Sequence, residues 1–434
     1  MNDMSRRAAP PPGMTGSEEP PRPRNLRAGP FGVLDIGTTK IAALIGRTES
    51  DGTLRVLGFG CHRGRGVRGG GIVDLEAAER AIRACVGQAE DMADTRLRSV
   101  IVNLSCGQPE SRLFNVQWPV GGRAVDEADV KRVVHEGRAR ALVDGRDIIH
   151  ALPLSFSVDD TQGIGDPRGL FCETLTARLH VVDAAGTALR SLAACIARCD
   201  LDLGELVSAP MAAGLSTLVA DERELGVTVI DMGGGTTGMA VFAESQLLHT
   251  AQLPVGGVHV TNDLARLLST PVAHAERLKT LYGNAQTCAD DEREMLPVPL
   301  VGEEEHHIAK VPRSMVTSII RPRLEETFEL VKERLDSSGL SRAAGTRVVL
   351  TGGASLLGGA GDMAARILGR QVRIGRPHGL RGLPDSGSGP AFATAAGLLA
   401  WSAGVGRTMH DVDLETAQPA GMFRRFVNFL KERV

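Results

Sequence analysis

Two copies of one short pattern constrain this chain more than anything else in it. Val229–Phe242 reads VIDMGGGTTGMAVF: an apolar run, Asp231, three glycines (Gly233, Gly234, Gly235), two threonines (Thr236, Thr237) and a second apolar run. Val33–Gly46 reads VLDIGTTKIAALIG and sets Asp35, Gly37, Thr38, Thr39 and Lys40 in the corresponding places. Each reads as a strand, a tight glycine-rich turn and a returning strand. The N–H groups of such a turn can approach a phosphate with no Cβ in the way. An aspartate at the end of the first strand is placed to hold Mg²⁺ through water. One copy is weak evidence, because glycine-rich turns also simply connect strands. Two copies about two hundred residues apart predict two related halves that face one nucleotide.

At 434 residues the chain is long enough for two or more lobes, each with its own core. Its net charge of −3 argues against nucleic acid as a partner. The seven cysteines contain no CxxC pair. Cys195 and Cys199 share a helix face, but with no second pair nearby no zinc site is expected, and reduced buried thiols fit better. No apolar run reaches the roughly 20 residues that span a bilayer, and the N-terminus lacks the apolar core of a signal peptide.

Read in order, residues 1–29 are rich in Pro, Arg and Gly and are expected to be a disordered leader. Residues 30–113 form the first part of one lobe, with strands over Phe31–Ile36, Ile41–Gly46 and Leu54–Gly60 and a helix over Leu75–Ala93. Arg63–Gly71 (RGRGVRGGG) looks like a glycine-rich phosphate loop, but no helix starts directly after it, and a mobile surface loop is expected. Residues 114–183 read as an inserted α+β unit, with a helix over Glu127–Leu142 that Asp126 caps and strands over Ile148–Val158 and Leu175–Val182. The first lobe resumes over 184–225 and includes a small-residue helix, Met211–Val219.

The second lobe occupies 226–404. It carries helices over Val260–Leu268 and Val272–Tyr282, an exposed polar stretch over Asn284–Lys310 and a long helix over Arg313–Ser338. Pro322 predicts a kink or break in that helix. Arg376–Gly389 reads as loop. Phe392–Ala403 is a second small-residue helix, and the echo of Met211–Val219 predicts that the halves pack through twin helices. A linker over 405–419 leads to the end of the chain.

There, Met422, Phe423, Phe426, Val427, Phe429, Leu430 and Val434 gather on one side of a helix, against Arg424, Arg425, Asn428, Lys431, Glu432 and Arg433. Three of the chain's eleven phenylalanines fall in this stretch, and its net charge is +3. A short, basic, Phe-rich helix on a linker is expected to lie in the interface of an anionic membrane.

The order of hairpin loop, small-residue helix, hairpin loop, VVLTGGAS and small-residue helix resembles the actin/sugar-kinase/DnaK ATPase superfamily. It implies an α/β, duplicated ribonuclease H-like fold of two lobes. Within that superfamily the chain is similar to the FtsA family of bacterial division proteins. The stretches HALPLSFSVDDTQGIGDPRGL (150–170), DERELGVTVIDMGGGT (221–236) and GMFRRFVNFLKERV (421–434) carry the likeness, with the place of the insertion.

That resemblance implies ATP and Mg²⁺ as cofactors. Gly37, Thr38, Thr39 and Lys40 would contact phosphates from one lobe, and Gly233, Gly234, Gly235, Thr236 and Thr237 from the other. Asp35 and Asp231 would order the Mg²⁺ shell. Glu276 and Lys279 would grip the adenosine, and Gly352, Gly353 and Ala354 would lie under the purine. It further implies self-assembly, attachment to the cytoplasmic face of the inner membrane, recruitment of later division proteins and binding of the FtsZ tail by a subdomain near 260–340. Arg313, Arg323 and Glu326 are the candidate contacts for that tail, against the alternative of an ordinary solvated helix face.

One departure stands out. Relatives of this fold place a Glu or Gln just before the first small-residue helix to orient the attacking water, whereas this chain has Ala209-Pro210. Slow or absent turnover is therefore expected. The competing reading, a small-molecule kinase or true ATPase of the same fold, needs a catalytic Asp, Glu or Gln in the interlobe cleft, and Ala209 argues against it.

Overall fold

The computed structural model describes residues 29–303 and 308–405. The leader, the linker and the amphipathic tail expected at the two ends lie outside the described residues.

The first lobe is laid down by β1 (Phe31–Ile36), β2 (Lys40–Thr48), β3 (Leu54–Arg63), the small hairpin β4 (Val67–Arg68) and β5 (Gly71–Ile72), helix α1 (Leu75–Ala93) and β6 (Ser99–Leu104). The insertion follows, with β7 (Glu110–Ala124), α2 (Glu127–Arg140), β8 (Arg146–Val158), β9 (Thr161–Ile164) and β10 (Phe171–Ala185). These strands make a sheet of their own in the order β7-β10-β8-β9. Helix α3 (Gly186–Arg198) and β11 (Asp202–Ser208) complete the first lobe's sheet, and α4 (Ala209–Thr217) and α5 (Ala220–Leu225) cross to the second.

The second lobe contains β12 (Val227–Met232), β13 (Thr237–Ala243), β14 (Gln246–Leu253), α6 (Gly257–Leu267), α7 (Val272–Tyr282), the hairpin β15 (Met295–Pro299) and β16 (Ile308–Pro312), and α8 (Arg313–Ser337). It ends with β17 (Arg347–Thr351), α9 (Ala360–Leu368), β18 (Gln371–Ile374), β19 (Leu380–Arg381) and α10 (Ala393–Ser402).

The two large sheets repeat one topology. In the first the order is β11-β6-β1-β2-β3, with β19 added at the edge; in the second it is β18-β17-β12-β13-β14. In both, two parallel pairings are followed by two antiparallel ones. The facing sides bury Val33, Leu44, Ile101, Val229, Phe242 and Val349 against α4 and α10, which form the middle layer. On the outer faces, α1 and α3 cover the first sheet, and α6 to α9 cover the second. The twin helices pack at backbone contact: a Cβ on Gly397 of α10 would lie 1.6 Å from the Ala212 carbonyl of α4.

Three local expectations are corrected. Helix α8 runs unbroken through Pro322 for 25 residues. Pro322 and Ser318, whose carbonyl loses its helical donor, are both exposed, so water can take that carbonyl. Arg63–Gly71 is not a plain surface loop: it folds into the β4–β5 hairpin, with Val67 buried in the core of the first lobe. Residues 376–389 include β19, a two-residue strand parallel to β3 and too short to leave a periodic signal. The helix over Glu127–Arg140 has the expected start, a capping box in which the Asp126 carboxylate accepts from Asp129 N (2.9 Å) and the Asp129 carboxylate from Asp126 N (3.1 Å).

Candidate functional site

The two glycine turns fold alike and meet. In the first, Gly37 N donates to the Lys40 carbonyl at 2.9 Å; in the second, Gly233 N donates to the Thr236 carbonyl, also at 2.9 Å. They come together so closely that a Cβ on Gly234 would lie 2.5 Å from Thr39 Cγ2, and one on Gly235 2.3 Å from Thr38 Oγ1. The start of α6 braces the second turn, with Gly257 N on the Gly233 carbonyl (3.0 Å) and Val258 N on that of Gly234 (2.8 Å). Between the lobes lies a cavity of about 370 Å³. Asp35, Gly37, Thr38, Thr39, Lys40, Asp231, Gly233, Gly234, Gly235 and Thr236 line one end. Thr237 does not line it: one place along β13 it points to the other face, where its hydroxyl donates to the Val255 carbonyl at 2.8 Å.

Charge at this end is unbalanced toward the acid. Asp35 is 8% exposed, and burial pushes its carboxyl up to about 6; Lys40 pulls it back and Asp231 pushes it further up. Burial also raises Asp231, against the Thr394 hydroxyl that donates to it at 2.8 Å and the charge of Lys40. The Lys40 ammonium donates to the Ala391 carbonyl and lies 4.0 Å from the Phe392 ring centroid. Two desolvated carboxylates beside a single lysine offer an all-oxygen set to a hard dication, so these residues fit Mg²⁺.

The other end is built by α7 and the turn after β17. Lys279 Nζ donates to Glu276 Oε2 (2.7 Å), Thr261 Oγ1 (2.9 Å) and the Gly257 carbonyl (3.1 Å), which fixes the i,i+3 pair at the wall of the cavity. Gly352, Gly353 and Ala354 also line it. Gly352 has φ +84°, and a Cβ there would lie 2.4 Å from Asp231 Oδ1. Gly353 is less constrained, since a Cβ would meet only that of Ala391 at 3.7 Å.

Several lining residues carried no sequence signal. Asn103 lies in an ordinary apolar strand, yet its Oδ1 accepts from Ile36 N at 2.7 Å and pins the end of β1 beside Asp35. Leu324 and Thr327 of α8, Thr394 of α10 and Gln252 of β14 line it too; Gly70, from the glycine-rich stretch 63–71, does as well. Ala209 lines the cavity as well.

The remaining candidates lie elsewhere. Arg323 on α8 is forked onto Asp263 of α6 (2.6 and 3.1 Å) and paired with Glu326, while Arg313 pairs with Glu294 at 2.9 Å. The nine tail positions from Met422 to Lys431 lie outside the described residues. Among the described residues, no helix is long and apolar enough to cross a membrane.

Repeated sheets, twin central helices and facing turns define a two-lobed actin-like fold. Solved structures agree. MreB5 of Spiroplasma citri bound to ADP superposes with a TM-score of 0.52 at 15% identity, covering 88% of this chain and 98% of that one. The PilM-PilN type IV pilus biogenesis complex does so at 0.62 and 18%, covering 88% and 99%. The family "Cell division protein FtsA" matches residues 228–397, and "SHS2 domain inserted in FTSA" matches 106–183. The cell division protein FtsA of Agrobacterium fabrum is 44% identical over 407 residues, 91% of this chain and 90% of that protein. FtsA of Escherichia coli K12 is 34% identical over 377 residues, 84% and 88%. The chain belongs to the FtsA family of cell-division proteins.

Proposed function

We propose that this chain is an ATP-binding, actin-like scaffold that assembles into polymers and tethers the FtsZ ring to the cytoplasmic face of the inner membrane at the division septum. The observation that carries the reading is the meeting of two like glycine turns over two desolvated carboxylates in one cleft. MreB5 of the same fold has been solved bound to ADP and to AMPPNP, which supports a nucleotide here. The turn N–H groups of both lobes would bind the β- and γ-phosphates, and Glu276 and Lys279 the adenosine. Asp35 and Asp231 would hold Mg²⁺ through water, and bound Mg²⁺ would neutralise charge on the phosphates. Ala209 offers no group to orient water, so nucleotide acts chiefly as a conformational ligand that closes the lobes, with at most weak turnover.

The tail supplies the membrane contact. Arg424, Arg425 and Lys431 face anionic headgroups at about 1 kcal/mol each. Met422, Phe423, Phe426, Val427, Phe429 and Leu430 enter the interface. One such helix holds weakly and reversibly, and a polymer multiplies it through effective concentration. Arg313, Arg323 and Glu326 offer a charged face of α8 to the FtsZ tail, and the insertion offers a surface to later division proteins.

Co-sedimentation with anionic liposomes tests the tether. The full chain is expected to pellet, more so with MgATP, and the chain lacking Gly421–Val434 to stay in solution. Equal pelleting of both would overturn the membrane reading.

A further inference from the structure

Across the second sheet, one row of residues runs from the Mg²⁺ side of the cleft outward. Asp231 of β12 pairs with Gly238 of β13, and Gly238 with Gln252 of β14. Directly paired residues point to the same face, here the face that carries α4. The middle place is empty of side chain because α4 occupies it: a Cβ on Gly238 would lie 3.0 Å from Pro210 Cβ. Ala209, Gly238, Asp231 and Gln252 all line the cavity. The row thus sets Gln252 on the same sheet face as Asp231, two strands away, in the cavity that Ala209 also lines.

The other acids and amides of the cavity are engaged. Asn103 is used on Ile36 and Ser105, Glu276 on Lys279 and Thr261, Asp231 on Thr394, and Asp35 faces Lys40. Gln252 is half-buried, and its amide makes no hydrogen bond to a described residue. An amide that lines a cleft with both ends free can accept from one proton of a water and donate to its neighbour.

We propose that Gln252 orients the water for the residual hydrolysis of ATP, in place of the group missing at Ala209. This rests on the ATP-binding reading above. The water oxygen attacks the γ-phosphorus, and the bond from that phosphorus to the β–γ bridging oxygen breaks with its electron pair leaving on ADP. The water's protons go to the inorganic phosphate and to solvent. Gln252 remains neutral throughout: it contributes position, not proton transfer, which accords with slow turnover.

The full chain and its Gln252→Leu and Gln252→Glu variants test this through three measurements. These are MgATP affinity, single-turnover hydrolysis with protein in excess, and affinity for MgADP with aluminium fluoride, which mimics the transferring phosphoryl group. Gln252→Leu is expected to keep MgATP affinity within about twofold, lose about 100-fold in rate and weaken the aluminium fluoride complex by a like factor. Gln252→Glu, which keeps an acceptor, is expected to retain most of both. Unchanged hydrolysis in Gln252→Leu, equal losses in both variants, or a wild type no faster than buffer would overturn the proposal. Failure of the wild type to bind MgATP would instead overturn the ATP-binding reading, and this one with it.

Discussion

Ser111 of β7 ties the insertion to the second lobe: its Oγ is 3.1 Å from His249 Nδ1 and accepts from Thr250 N, both on β14. His180, fully buried on β10, has Nε2 2.7 Å from that same Oγ. Burial lowers its imidazole to about 3, helped by His150 and His249. The folded state thus refuses a proton that the unfolded chain accepts near its ordinary 6.5. Stability is full above pH 6.5 and falls as pH drops toward 3, by up to about 1.4 kcal/mol per pH unit from this group. Urea unfolding from pH 6.5 to 5 is expected to show a shallower pH slope for His180→Gln than for the wild type. Parallel slopes would contradict this. Residues also mark where sequence reading stops. The paired Asp-x-Gly turns were legible because turn geometry demands glycine at fixed spacing. Thr237 misled, because a hydroxyl one place past the turn alternates to the other face. Asn103 and Gln252 were invisible, because an amide in a strand signals nothing until the fold shows what it faces.

At the scale of elements, periodicity carried the reading well where helices are amphipathic, as in α1, whose Ala78, Ile82, Cys85 and Ala89 are all buried. The small-residue helices α4 and α10 have no polar side; all ten residues of α10 are buried, so only their likeness to each other marked them. Their contact makes a sharp prediction. A methyl group added at Gly397 would stand 1.6 Å from the Ala212 carbonyl, so Gly397→Ala must push the helices apart. A loss of about 1–3 kcal/mol in unfolding free energy is expected, and a variant as stable as wild type would contradict close packing. Pro322 does not break α8, because a break depends on whether the carbonyl one turn earlier can face water, which spacing does not encode.

For the whole molecule, duplication is the organising fact. Two sheets of one topology face each other through twin helices, and the two turns that the duplication produces converge on one cleft. The insertion was read from a change of pattern within the first lobe, whereas the β4–β5 hairpin was missed because two-residue strands leave no period. The proposed cleft for MgATP is tested by isothermal titration calorimetry of the full chain, with and without Mg²⁺, alongside Asp231→Asn. One site per chain is expected, tightened by Mg²⁺, with that tightening lost in the variant. No binding, or binding indifferent to both Mg²⁺ and Asp231, would contradict it.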